Sequence, residues 1–123
     1  MAKISTQTIN GKAFEYALLN EFLERLCQLT QVSVLKNEPY KTAEKCFLSF
    51  EEKEQGNYKL VASFAVNFLI DIEPRLSNGI NNEDVLQLEI VSDKMGQSGD
   101  VRDVLAIRSI QKWEIGISEK KQS

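Results

Sequence analysis

Between residues 12 and 29 the apolar positions Phe14, Leu18, Leu19, Phe22, Leu26 and Leu29 return at helical spacing, which predicts an amphipathic helix. The polar residues 1–11 before it read as a lead-in. Residues 32–36 are too few to assign, and Pro39 ends whatever precedes it. Ala43, Cys46, Phe47 and Phe50 then share one side of a second helix over 42–50. A charged connection with Gly56 follows over 51–57. The segment 58–72 is apolar almost all round (Leu60, Val61, Phe64, Ala65, Phe68, Leu69, Ile72), and a helix of that kind is expected at the centre of a core. Pro74 and the run Ser77, Asn78, Gly79, Asn81, Asn82 mark its end and a loop.

Beyond that loop the period drops to two. Leu86, Leu88 and Ile90 alternate with Gln87 and Glu89, as in a half-buried strand. A glycine-containing loop at 95–99 leads to strands over 101–108 and 113–118, joined by a short link at 109–112. Helices first and an antiparallel three-strand meander after them define an α+β class.

Composition narrows the chemistry. The 123 residues suffice for one domain with a modest core. Histidine is absent, which removes histidine bases, triads and nearly all zinc sites. A net charge of −3 argues against a protein that simply coats nucleic acid, although a local cleft can still be basic. Cys27 and Cys46 have no metal-binding spacing, and Cys27 is expected to be a buried reduced thiol. No segment resembles a signal peptide or a membrane span, so the cytoplasm is the expected compartment.

Three features of the chain carry candidate chemistry. Glu15 falls in the middle of the apolar stripe of the first helix, where a carboxylate is costly unless paired, protonated or bound to a metal. Its bland reading is a structural ion pair. Asp103 opens a strand after a glycine-containing loop, with Asp100 three residues before it. Oxygen ligands so placed suit magnesium, whereas the bland reading is a loop cap. The third feature is Ser118-Glu119-Lys120-Lys121 at the end of the last strand. If the 109–112 link is an even-length turn, Asp103 lies opposite Ser118, and Lys120 shares their face while Glu119 and Lys121 point away. An odd link reverses this. Asp103 and Glu15 would then hold a metal, and Lys120 would orient water or stabilise the phosphorane, with Gly116 and Ser118 keeping the face small.

The stretches NGKAFEYALLNEF (10–22), FLIDIEPRL (68–76), GDVRDVLAIR (99–108) and WEIGIS (113–118) together resemble the N-terminal part of type II restriction endonucleases of the HaeIII family. Those enzymes resemble the PD-(D/E)XK nucleases. The resemblance implies the αβββ half of that core and magnesium-dependent hydrolysis of double-stranded DNA at GGCC. It sets Asp103 and Lys120 on the catalytic strand positions, beside Ser118 and Glu119. Glu15 takes the place of the first-helix glutamate, and Asp100 stands as the alternative to Asp103. Glu119-x-Lys121 matches the family's Glu-x-Lys literally, so Lys121 stays open as the site lysine.

The family continues through a histidine- and lysine-rich segment into a longer C-terminal portion, whereas this chain has no histidine and stops at Ser123. The expectation is a single truncated domain over 1–123 that is weak or inactive alone, completed by a homodimeric partner or by the missing C-terminal segment. The competing expectation is a non-catalytic interaction or DNA-binding protein in which Glu15, Asp103 and Lys120 form an ion-pair cluster.

Overall fold

The computed structural model describes residues 6–80, 83–91 and 104–117, with side chains from residue 10 onward. The order is α1 (Thr6–Leu26), β1 (Val32–Val34), α2 (Glu38–Leu48), α3 (Glu52–Ile72), a 3-10 turn at Pro74–Leu76, then β2 (Leu86–Ile90), β3 (Val104–Arg108) and β4 (Trp113–Ile117). The class is α+β, as the change of period predicts. Among the described residues its sheet has four strands rather than three, in the order β1-β2-β3-β4. β2, β3 and β4 form the expected antiparallel meander, and β1 adds to β2 in parallel. Two backbone hydrogen bonds extend that parallel pairing, Leu86 N to Gln31 O and Leu35 N to Leu88 O.

Helix boundaries differ from the sequence pattern for local reasons. Pro39 does not break an element but sits in the first turn of α2, where a missing N–H costs nothing. Asn37 caps that turn, its side chain accepting from Tyr40 N at 3.0 Å. α3 begins at Glu52 rather than Tyr58 and runs through Gly56. Glu52 and Glu54 in its first turn complement the helix dipole, which helps offset the ~1 kcal/mol that glycine costs relative to alanine.

The helices cover one face of the sheet. Leu86, Leu88 and Ile90 of β2, with Val104 and Ala106 of β3, are buried against Ala17, Leu18, Phe22 and Leu26 of α1 and Phe47 of α2 in one cluster. α3 is not central. It buries Ala62 and Val66 on the side of α1, while Leu60, Val61, Phe64, Phe68 and Ile72 remain exposed. Cys27 is exposed too, beyond the last turn of α1, and donates to Glu24 O.

A buried charged cluster anchors the turn end of the β3–β4 hairpin. Arg108 and Asp84 are both fully buried, with Arg108 Nη1 3.9 Å from Asp84 Oδ2. Arg108 donates to the carbonyls of Arg75, Leu76 and Asp84 and to Thr30 Oγ1. It thereby ties β3 to the 3-10 turn and to the α1–β1 connection. Asp84 Oδ2 accepts from Gln111 Nε2 and from Ile80 N. These two donors and the Arg108 guanidinium hold the Asp84 carboxyl below its ordinary range. Beside the cluster, the Arg75 guanidinium lies 5.0 Å from the ring centroid of Trp113, the first residue of β4.

Candidate active site

The hairpin register decides which side chains can meet. Arg108 pairs with Trp113 and Val104 with Ile117, so the link is the four residues 109–112, the even length. Lys112 N donates to Ser109 O at 3.1 Å, and Lys112 takes φ 53°, the left-handed residue that closes a turn of this kind. Val104, Ala106 and Arg108 face the helices together with their partners Ile117, Ile115 and Trp113. Leu105 and Ile107 face the other way, beside Gly116 and Glu114 of β4 and Glu89 and Gln87 of β2.

The candidates Asp100, Asp103, Ser118, Glu119, Lys120 and Lys121 lie outside the described residues. The described hairpin stops one residue short of Asp103 and one short of Ser118, at the Val104–Ile117 pair. Glu89 is the carboxylate that sequence reasoning passed over. It pairs with Leu105, which in turn pairs with Gly116, on the face turned away from the helices. In the sequence it is only the polar half of the LQLEI alternation, and nothing there singles it out.

Glu15 is half-buried on α1. Burial pushes the Cys46 thiol of α2 up, Lys12 opposes the rise and Glu15 adds to it, so the Glu15 charge is felt at the α1–α2 seam. Tyr16, the next residue, packs in that seam with ring centroids 5.7 Å from Tyr40 and 5.1 Å from Phe47. Burial, then Tyr40 and Glu44, raise its phenol to about 12. Glu15 is therefore on the helix side of the sheet. At the open end of the hairpin, Ile90 of β2 pairs with Val104 of β3. Asn37 Nδ2 donates to Ile90 O, so the start of α2 borders the same end of the sheet. No cluster of three or more metal-ligating side chains occurs among the described residues.

A mixed sheet covered on one face by helices and closed by an antiparallel hairpin is an α+β arrangement of the nuclease-like class. The HaeIII restriction endonuclease family matches residues 11–123. Over 111 residues the chain is 34% identical to the type II restriction enzyme HaeIII of Haemophilus aegyptius, a match covering 90% of this chain and 34% of that enzyme. The chain belongs to the HaeIII restriction endonuclease family and spans about a third of the length of that relative. No solved structure matches it. Among the described residues, no helix is long and apolar enough to cross a membrane.

Proposed function

We propose that the chain carries the cleavage centre of a type II site-specific deoxyribonuclease, which hydrolyses phosphodiester bonds of GGCC-containing double-stranded DNA with magnesium. The family match over residues 11–123 carries this reading. The hairpin register supports a particular arrangement of the site. Carried one pair beyond Val104–Ile117, it would set Asp103 opposite Ser118, on the face of Leu105 and Gly116. Lys120 would follow on that face, and Glu89 is the nearest described carboxylate there. Glu119 and Lys121 would fall on the helix face, which is also the side of Glu15.

This phasing would separate two groups, Asp103–Ser118–Lys120 and Glu15–Glu119–Lys121, as the even-link reading of the sequence expects. We assign the metal to Asp103, with Asp100 as its alternative, and the catalytic cation to Lys120. Glu15, on the helix side of the sheet, would not share their face. Bound magnesium supplies a Lewis acid for the phosphoryl oxygen and lowers the pKa of its water. Asp103 would hold that ion in place. Lys120 would place positive charge where the phosphorane develops negative charge, and Gly116, lacking a side chain, leaves room for a phosphate to approach the strand.

Incubation of the chain with GGCC-containing plasmid and magnesium tests this. Cutting is expected to fall by about 100-fold or more in Asp103→Ala and in Lys120→Ala, and to survive in Lys121→Ala. Cutting lost in Lys121→Ala but kept in Lys120→Ala would reverse the face assignment. Thermal stability supplies a second readout, because a cation bound at Asp103 stabilises the folded chain and Asp103→Ala removes the shift. No cutting and no magnesium shift would instead indicate the non-catalytic reading.

A further inference from the structure

The exposed face of α3 is built for a helix of its own kind. Leu60, Phe64, Phe68 and Ile72 recur every four residues, with Val61 beside them, and are 56%, 66%, 62%, 58% and, for Val61, 54% exposed. Single exposed apolar residues need no explanation, but five on one ridge do. The opposite side of α3 already buries Ala62 and Val66. The two phenylalanines and three aliphatic side chains present roughly 500–600 Å² of apolar surface, the upper end of what a monomer exposes.

We propose that this ridge is the contact surface for α3 of a second copy of the same chain, packed antiparallel about a two-fold axis between Phe64 and Phe68. Two such faces bury roughly 1,000–1,200 Å², at the threshold for a specific interface. Ridges of i, i+4 spacing interdigitate with one another at about −50°, the commonest helix crossing. In an isologous contact each residue must meet its counterpart reciprocally. Here Phe64 faces Phe68 of the second copy and Leu60 faces Ile72, so aromatic meets aromatic and aliphatic meets aliphatic. A shallow groove lined by Glu54, Asn57, Tyr58 and Val61 lies where Ile72 of the second copy arrives.

Charge selects the antiparallel direction. Asp71, beside the ridge, falls opposite Val61, and the two Asp71 side chains stand about 15 Å apart along the axis, beyond the ~10 Å screening length at 0.1 M salt. A parallel pairing would set Asp71 against Asp71.

Sedimentation of the intact chain across roughly 1 μM to 1 mM tests the proposal. The expected result is a reversible monomer–dimer equilibrium with a dissociation constant in the micromolar range, as befits an interface of threshold size. Phe64→Glu with Phe68→Glu should be monomeric throughout, and its circular dichroism and melting should confirm that the fold is kept, since both side chains are exposed. A wild-type chain that stays monomeric at 1 mM overturns the proposal and leaves the ridge to a different polypeptide. A dimer that persists in the double variant also overturns it and indicates another surface, such as the outer side of β4.

Discussion

Replacing Arg108 with methionine keeps an apolar stem of similar length and deletes the guanidinium. In the folded chain that group is wholly buried and donates to three backbone carbonyls and one hydroxyl, including Asp84 O at 2.6 Å, Leu76 O at 3.1 Å and Thr30 Oγ1 at 3.2 Å. Its loss leaves the Asp84 carboxylate buried with Gln111 and Ile80 as its donors among the described residues. Removing one partner of a buried ion pair costs about 3–5 kcal/mol, because the remaining charge is uncompensated. The orphaned carbonyls add to that, each at about 1–3 kcal/mol where water cannot reach them. Partial relaxation makes about 3–5 kcal/mol the expected total, a large share of the ~5–15 kcal/mol that holds a domain folded.

Urea unfolding followed by Trp113 fluorescence measures it well, since Trp113 is the single tryptophan and sits beside the cluster. Melting should fall by roughly 10–20 °C. Arg108→Lys keeps the charge but loses the planar fork, so it should fall between methionine and wild type. Adding Asp84→Asn to Arg108→Met should recover part of the loss, because no charge then remains buried. An Arg108→Met chain within about 1 kcal/mol of wild type would refute the reasoning, since a pair so buried cannot be broken that cheaply.

Acid should weaken the chain through Asp84. Its folded pKa lies below its ordinary 3.8, so its contribution is whole above that value and is lost as pH falls through the folded pKa; the gap between wild type and Asp84→Asn should close over that window in acid unfolding. Lys112→Gly should stabilise the chain by about 0.5–1 kcal/mol in urea, because glycine adopts the positive φ at no steric cost; a loss of stability would reveal a contact made by the lysine stem.

The meander was legible because alternation is a local property. Leu86–Ile90 is bounded as its pattern predicts, and β3 and β4 fall inside their predicted ranges. β1 was not legible, since three residues carry no period and only the pairing of Val32 with Leu86 makes them a strand. α3 misled differently. An all-round apolar helix suggests a centre, and no sequence pattern records that only its α1 side finds partners within this chain. In the site, the consequence of an even link could be worked out from the sequence, whereas the parity of the link and the face on which Glu15 lies could not. A helical wheel gives an angle around α1, and only packing against α2 turns that angle into a side of the sheet.

A hairpin clamped at its turn behaves as a lever. Arg108 and Trp113 form its fulcrum, and the Val104–Ile117 pair lies about 14 Å away, with Val104 held against Ile90 of β2. A tilt of a few degrees at the fulcrum becomes a displacement approaching an ångström at the far end, where the proposed catalytic groups would tolerate little misplacement. A residue such as Gln111, at the opposite end of the strands from the proposed site, would therefore help set their aim through its hydrogen bond to Asp84, and its variants should lose alignment before they lose the fold.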